Sequence, residues 1–368
     1  MAQTASASPT RLAVVIAGGG TGGHLYPGIA VARELLRQRP DAQVSFAGTS
    51  RGLEARVIPR EGLPLDVIRS AGLKGKSWAA RLRGASLLLP SALDAWRLIS
   101  ARAPSVVVGV GGYSSGPVVF LAAIRGIPTM VLEQNAVPGL TNRWLARVVR
   151  AAAVTYDETR QFFGRRGFVA GNPVRQEFFS VSPRHPHTGA GAQVLILGGS
   201  QGAHVVNVAV VEAAAELARR CPGLGIVHQT GDRDLEGVRE GYRRAGVAAR
   251  TEAFLDPVVD EVNRADLVIG RAGATTLAEL AAAGRPAVLV PFGAATDDHQ
   301  RRNARVLEQA GGAVVIDERE LSGAKVADVV ATLMADPARL EAMGQAMRRL
   351  ARPDAASRIV ARILELAS

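Results

Sequence analysis

The sequence predicts an α/β protein built from two doubly wound parallel sheets, each covered by helices on both faces. Short apolar runs alternate with amphipathic segments along the chain, which is typical of parallel strands connected by helices. The layout of strand, glycine-rich turn and helix occurs twice, beginning at Leu12 and again at Gln193. Of the 368 residues 48% are apolar, which is enough for two packed cores.

Each half contributes its own strands and helices. The sequence predicts strands at 12–17, 43–48 and 106–110, a strand that includes Val131, helices at 116–124 and 141–149, further strands at 193–197 and 267–270, and a last helix at 354–366. We therefore expect a first domain at 1–172, a second at 173–352, and a terminal helix at 353–368 that is able to pack back on the first domain. Ligands of such sheets bind at the carboxyl ends of the strands, so two facing halves would form a cleft.

Composition excludes several classes of protein. The chain carries 44 Lys and Arg against 33 Asp and Glu, a formal net charge of +11, which favours anionic partners but is explained equally well by solvated arginines. Cys221 is the only cysteine, so neither a disulfide framework nor a cysteine-based metal site is expected. The N-terminus lacks the basic region of a signal peptide, and GVGGYSSGP interrupts the uncharged stretch 106–124, so we expect no transmembrane helix.

The turn after the first strand reads GGGTGGHLYPG and satisfies the dinucleotide pattern GxGxxG. Its glycines let a backbone approach a phosphate closely and direct N–H groups at it. A nicotinamide site also needs an acidic residue after the second strand, where this chain has Thr49, Ser50 and Arg51. Arg51 leaves NADP as an alternative, which would give the second glycine turn no role.

His24 stands at the start of the helix that follows this turn. The positive end of a helix dipole disfavours the charged form of a histidine. A neutral imidazole facing a cleft is a suitable general base near pH 7, and a capping or solvated histidine is the alternative.

Three stretches of the second half carry polar groups that suit a nucleotide sugar. The turn GGSQG offers N–H groups and the Ser200 hydroxyl at a helix start, although a tight turn alone explains it. In RAGATTLAE, Glu279 could accept hydrogen bonds from a ribose diol or form a capping box with Thr276. In DDHQRRN, Gln300 and Asn303 share a helix face and could bind sugar hydroxyls or remain solvated.

Taken together, these stretches resemble the MurG family of bacterial cell-wall glycosyltransferases. The matching segments are GGGTGGHLYPGIAVA, GVGGYSSGP, EQNAVPGLTN, GNPVR, LILGGSQGA, RAGATTLAELAAAGRPAVLVPF and DDHQRRNA, in the family's order and across most of the chain. The resemblance implies the GT-B glycosyltransferase fold, in which two Rossmann-like domains face a cleft. It also implies an inverting transfer of N-acetylglucosamine (GlcNAc) from UDP-GlcNAc to the muramic acid 4-hydroxyl of lipid I, undecaprenyl-pyrophosphoryl-MurNAc-pentapeptide. The product would be lipid II for peptidoglycan synthesis, with no metal and no cofactor.

The resemblance assigns roles to residues. It implies that the turn around Ser200 meets the diphosphate, that the backbone near Leu255 holds the uracil, and that Glu279 binds the ribose. The residues implied for the donor are Arg175, Ser200, Leu255, Ala274, Thr275, Thr276, Leu277, Ala278, Glu279, Gln300 and Asn303. Those implied for the reacting sugar and the acceptor are Thr21, Gly22, Gly23 and Asn135, with His24 as the general base and Glu133 orienting or assisting.

One position departs from the family pattern. Members commonly have His-Glu-Gln-Asn where this chain has Leu132 followed by Glu-Gln-Asn, which excludes a role for a histidine at 132. A UDP-GlcNAc 2-epimerase of the same fold is the alternative activity, although the EQNAVPG and GGYSSGP loops favour the transferase. A nucleic-acid binder is disfavoured, because the basic residues are dispersed and no nucleic-acid-binding module is recognised.

Lipid I is a membrane lipid, so the resemblance implies a peripheral protein on the cytoplasmic face of the inner membrane, in contact with anionic lipid. Residues 73–90 combine four cations with Trp78 and a leucine run. This composition suits an interfacial patch or, almost equally, a helix packed by its leucines. Cell-wall and division proteins are further partners that the family suggests.

Overall fold

The computed structural model describes residues 11–50, 52–70, 88–180, 191–199, 202–293 and 298–368. The chain divides into two compact units. Unit 1 comprises Met1–Gln134, Pro138–Pro173 and Asp354–Ser368, and unit 2 comprises Asn135–Val137 and Val174–Pro353. The domain boundaries expected from the sequence, 1–172, 173–352 and 353–368, stay predictions.

Unit 1 contains a seven-stranded parallel sheet in the order β3-β2-β1-β4-β5-β6-β7. Its strands are β1 (Ala13–Gly18), β2 (Gln43–Gly48), β3 (Leu65–Val67), β4 (Val106–Gly111), β5 (Thr129–Glu133), β6 (Ala151–Val154) and β7 (Gly167–Val169). Its described helices are α1 (Gly22–Gln38), α2 (Glu54–Arg60), α3 (Leu88–Arg102), α4 (Ser115–Ile124), α5 (Leu140–Leu145), α6 (Asp157–Phe163) and, from late in the sequence, α14 (Ala355–Ala367).

Unit 2 contains a six-stranded parallel sheet in the order β10-β9-β8-β11-β12-β13. Its strands are β8 (Gln193–Leu197), β9 (Gly225–Gln229), β10 (Arg250–Glu252), β11 (Leu267–Gly270), β12 (Ala287–Leu289) and β13 (Ala313–Val315). Its described helices are α7 (His204–Arg220), α8 (Leu235–Arg244), α9 (Val258–Arg264), α10 (Ala274–Ala283), α11 (His299–Gln309), α12 (Gly323–Met334) and α13 (Pro337–Leu350).

The central strands of the unit 1 sheet, β1, β4, β5 and β6, are buried throughout, which explains why they are continuous apolar runs. Alternate side chains of β1 enter different cores: Val14 and Ile16 pack on one side, and Val15 and Ala17 on the other. Helices cover each side, as parallel strands with helical crossovers require.

Helix α14 belongs to unit 1 although it follows all of unit 2 in the sequence. Its residues Ile359, Val360 and Ile363 are fully buried in the core that also contains Ile29 of α1. The strong amphipathic pattern of this helix is therefore used for packing against α1, the helix that carries His24.

One predicted element is shorter than expected. The helix predicted at 141–149 ends at Leu145, because the chain must turn to enter β6. The Arg150 N–H already donates to the Thr129 carbonyl oxygen of β5 at 2.9 Å. Within the described ranges, every helix is too short or too polar to cross a bilayer.

Candidate functional site

The glycine turn after β1 lies at the point where the sheet of unit 1 reverses its winding. The strand order places β1 beside β4, and loops after such a strand pair form the usual ligand crevice of a doubly wound sheet. The turns after the two strands pack backbone against backbone: a Cβ at Gly112 would lie 2.5 Å from the carbonyl oxygen of Gly19, and one at Gly18 would lie 2.5 Å from that of Gly111. Both turns therefore need glycine at these positions.

His24 lies in the first turn of α1, which begins at Gly22 after the N-cap residue Thr21. The His24 and Leu25 N–H groups donate to the Thr21 carbonyl oxygen, each at 3.2 Å. The half-buried imidazole lies over Gly111, where an added Cβ would come within 2.6 Å of Nδ1. The predicted residues 21–24 thus form the start of α1, and the His24 ring lies against the end of β4.

Glu133 ends β5 and is buried. Its Oε2 accepts hydrogen bonds from the Gly139 N–H at 2.8 Å and from the Asn142 amide at 2.9 Å. These contacts shape the loop that enters α5. The catalytic assistance assigned to Glu133 from the family resemblance stays a prediction.

Asn135 and Asn303 meet within unit 2. The buried Asn303 amide donates to the Asn135 side-chain oxygen at 3.1 Å, and the Asn303 oxygen accepts from the Ala136 N–H at 2.9 Å. Asn303 therefore holds the segment Asn135–Val137, a contact that sequence reasoning missed. The sequence had placed Asn135 with the first half and Asn303 beside the donor sugar, and their substrate contacts stay predictions.

The second glycine turn follows β8 at the winding reversal of the other sheet, where β8 pairs with β11. Ser200 lies outside the described residues. The Gln229 amide donates to the Gly199 carbonyl oxygen at 2.8 Å, and a Cβ at Gly202 would lie 2.4 Å from the Thr230 carbonyl oxygen. Gln229 was not predicted as a site residue, although it ends a buried strand directly before a Thr-Gly turn.

A buried polar network lies behind this turn. The His228 ring is 2.9 Å from the Tyr242 hydroxyl and 3.0 Å from the Asn207 side-chain oxygen. The Asn207 amide in turn donates to Thr230 and Asp234. Burial lowers the pKa of His228 to about 4, against the weaker opposing effect of Asp234.

This depressed pKa predicts a pH-dependent stability. Unfolded His228 titrates near 6.5 and the folded residue near 4, so between these values the unfolded chain holds the extra proton. The free energy of unfolding should therefore fall as the pH is lowered from about 6.5 to about 4, by roughly 3 kcal/mol in total from this group. Urea unfolding at pH 7 and pH 5 measures the change. A glutamine does not titrate, so in His228→Gln the free energy of unfolding should change much less between pH 7 and pH 5. An equal change in both proteins would contradict the assignment of this pH dependence to His228.

Arg175 and Glu279 form an ion pair on unit 2. The Arg175 guanidinium donates to Glu279 Oε1 at 2.9 Å and lies 4.9 Å from the centre of the Phe178 ring. Burial raises the pKa of Glu279, and the charge of Arg175 offsets part of that effect. Helix α10 begins after the N-cap residue Gly273, so the capping box with Thr276 is not the explanation of Glu279.

The remaining residues predicted to line the nucleotide differ in how far their side chains are buried. The Leu255, Thr275 and Leu277 side chains are buried, while Ala274, Thr276 and Ala278 are half-buried. The uracil contact of the Leu255 backbone stays a prediction. Gln300 Oε1 accepts from the Phe292 N–H at 2.9 Å and so supports the loop after β12. Arg271 supports the same loop through Glu318, at 3.1 Å, and through the face of Phe292. Over the described ranges, no group of three His, Cys, Asp or Glu is placed to hold a metal ion.

Comparison with known proteins identifies both units. The glycosyltransferase family 28 N-terminal domain matches residues 14–154, and the family 28 C-terminal domain matches residues 193–359. A protein of Anaeromyxobacter sp. (strain K) is 46% identical over 354 residues, which are 96% of this chain and 92% of that protein. It is named UDP-N-acetylglucosamine--N-acetylmuramyl-(pentapeptide) pyrophosphoryl-undecaprenol N-acetylglucosamine transferase.

Solved structures agree with this assignment. MurG of Acinetobacter baumannii is 31% identical with a TM-score of 0.75, covering 96% of this chain and 99% of that one. A UDP-GlcNAc 2-epimerase of Neisseria meningitidis has a TM-score of 0.69 at 12% identity, covers 96% and 100% of the two chains, and therefore shares only the fold. The predicted GT-B fold, with two Rossmann-like domains, is confirmed. The chain belongs to the MurG family of glycosyltransferases, within glycosyltransferase family 28.

Proposed function

We propose that this protein transfers GlcNAc from UDP-GlcNAc to the muramic acid 4-hydroxyl of lipid I, with inversion, and so produces lipid II. The observation that carries the proposal is the similarity to a transferase named for these substrates over 96% of the chain. The 2-epimerase likeness is confined to the fold and gives weaker support to an isomerase.

Unit 2 is proposed to bind the donor. Glu279 would accept hydrogen bonds from the ribose diol, and its ion pair with Arg175 at 2.9 Å offsets part of the burial that opposes ionisation of the carboxylate. The backbone at Leu255 would hold the uracil, and Gln300 would meet the sugar. Ser200 of the glycine-rich segment predicted from the sequence would meet the diphosphate, together with N–H groups at the start of α7.

Unit 1 is proposed to supply the general base. His24 would take the proton of the acceptor 4-hydroxyl as that oxygen forms a bond to the anomeric carbon of GlcNAc. The bond between that carbon and the diphosphate breaks, and UDP leaves with the electron pair. N–H groups at the start of α7 would stabilise the charge that develops on the leaving diphosphate.

The test is UDP release from UDP-GlcNAc, with and without a short-chain lipid I analogue, in excess EDTA. We expect release that requires the acceptor and is insensitive to EDTA. Release without the acceptor would favour an epimerase or a hydrolase. NADPH binding without any turnover would favour a dinucleotide-binding site at the first glycine turn.

We also propose that unit 1 contacts an anionic membrane from the cytoplasmic side. Residues 73–87 of the patch predicted from the sequence lie outside the described residues. Helix α4 packs against both α3 and α5. The three helices expose the apolar side chains of Trp96 (51%), Phe120, Ile124 and Trp144 (69%). Arg125 lies over the Trp96 ring at 4.6 Å, and such mixed aromatic and cationic surfaces suit the headgroup region.

The double variant Trp96→Ser with Trp144→Ser should bind phosphatidylglycerol vesicles about tenfold more weakly, or worse. The two indole rings would no longer be buried in the membrane, and a loss of about 1.4 kcal/mol in binding free energy lowers the binding constant tenfold. Vesicle sedimentation measures the effect. Val208→Ser, which removes an exposed apolar side chain of α7 in unit 2, is the matched control and should bind normally. Equal binding by all three proteins would place the membrane contact elsewhere.

A further inference from the structure

Glu54, the first residue of α2, places a buried carboxylate beneath the first glycine turn. The residue is 1% exposed. Its Oε2 accepts a hydrogen bond from the Gly20 N–H at 2.8 Å. Its Oε1 accepts from the Thr49 N–H at 2.9 Å and from the Thr49 hydroxyl at 2.8 Å. Burial opposes ionisation, yet these bonds outweigh it and lower the pKa of Glu54, so the group is a carboxylate at neutral pH.

Glycines of two turns make room for this carboxylate. A Cβ at Gly19 would lie 2.5 Å from the carboxyl carbon, one at Gly48 would lie 2.6 Å from Cγ, and one at Gly52 would lie 2.1 Å from Oε2. All three close approaches are to the Glu54 side chain, which could move aside only by breaking its hydrogen bonds to Gly20 and Thr49. The turns after β1 and β2 are thus built around one side chain.

The contact determines where the first turn directs its backbone. Gly20 has a φ of +87° and points its N–H inward at Glu54, so this donor is not available to a ligand. Thr21 follows as the N-cap of α1, and His24 lies in the first turn of that helix. Any rotation of the Gly20 peptide would therefore change the start of α1 and the position of the imidazole.

We propose that Glu54 is a positioning residue, whose carboxylate fixes the Gly20 peptide and thereby holds His24 in place over Gly111. The kinetic part of this inference rests on the proposed transferase function, and the structural part does not. The same contact argues against a dinucleotide at this turn, because the acidic residue nearest to the end of β2 is committed to the protein's own backbone. Arg51, the residue that left NADP open, lies outside the described residues.

The test compares Glu54→Gln with Glu61→Gln. A glutamine at 54 keeps the shape but turns an NH2 group toward either the Gly20 or the Thr49 donors. We expect kcat with the lipid I analogue to fall about 10- to 100-fold, as a small misplacement of a catalytic group does, while the KM for UDP-GlcNAc stays within about twofold. Glu61→Gln removes the same charge at the end of α2, on a residue that pairs with Arg33, and should behave as wild type.

A second readout needs no activity. The imidazole NMR signals of His24, assigned by their loss in His24→Ala, should shift in Glu54→Gln and stay in place in Glu61→Gln. If Glu54→Gln does not fold, Thr49→Val, which removes one of the three donors, should still shift the same signals relative to wild type. A wild type without acceptor-dependent turnover would refute the proposed function and leave this readout intact. Unshifted His24 signals, or a loss of thermal stability with kcat within about twofold of wild type, would overturn the positioning role.

Discussion

His24→Ala is expected to lower kcat for acceptor-dependent UDP release by about 10²- to 10⁴-fold, the usual contribution of a positioned general base. UDP-GlcNAc binding should stay within about twofold, because the residues proposed to bind the donor lie in unit 2, whereas His24 belongs to unit 1. Steady-state kinetics with the lipid I analogue give kcat, and calorimetry of the free protein gives the donor Kd.

His24→Gln separates the base from the packing of the ring. Glutamine keeps a polar side chain of similar size over Gly111 but cannot accept the proton. Both variants should therefore lose the same activity. Turnover within about fivefold of wild type in His24→Ala would remove His24 as the base and leave Glu133 as the next candidate.

Gly112→Ala should be strongly destabilising. Gly112 has a φ of +82°, and its added Cβ would lie 2.5 Å from the Gly19 carbonyl oxygen, a backbone atom that cannot move without displacing the first glycine turn. We expect a loss of about 2–4 kcal/mol in the free energy of unfolding, from backbone strain and overpacking together. Since the displaced turn carries Thr21 and His24, kcat should fall at least about tenfold.

Gly126→Ala is the matched control. Gly126 has nearly the same φ, +77°, but nothing lies within 4 Å of an added Cβ. This variant should show only the strain of a left-handed alanine, about 1–2 kcal/mol, with normal kcat. Urea unfolding and UDP release measure both effects. Equal losses in the two variants would mean that the contact between the glycine turns is unimportant.

Much of the fold could be predicted from the sequence because buried parallel strands are continuous apolar runs. The predicted strands at 43–48, 193–197 and 267–270 coincide with β2, β8 and β11. Helix ends were less certain, as α5 illustrates, because the end of a helix depends on where the next strand must pair.

The sequence predicted residues for the candidate site, and their substrate contacts stay predictions, but it did not predict the partners of their side chains. Gln300 bonds the backbone of Phe292, and Asn303 bonds a segment more than 160 positions earlier. No local pattern encodes such pairs. Glu54 was not predicted for a related reason. The dinucleotide pattern requires an acidic residue immediately after β2, whereas Glu54 stands at the start of α2 and reaches back beneath the first glycine turn.

The position of α14 has a consequence for biosynthesis. Bacterial domains generally fold in the order in which they leave the ribosome. Here the core of unit 1 includes Ile359 and Ile363, which are translated only after all of Val174–Pro353. At about 5–20 residues per second that delay is on the order of 10 to 40 s, during which the face of α1 that α14 covers is exposed. The unit encoded first is therefore completed last, and until then the apolar side chains of its core that α14 covers lack their final packing partners.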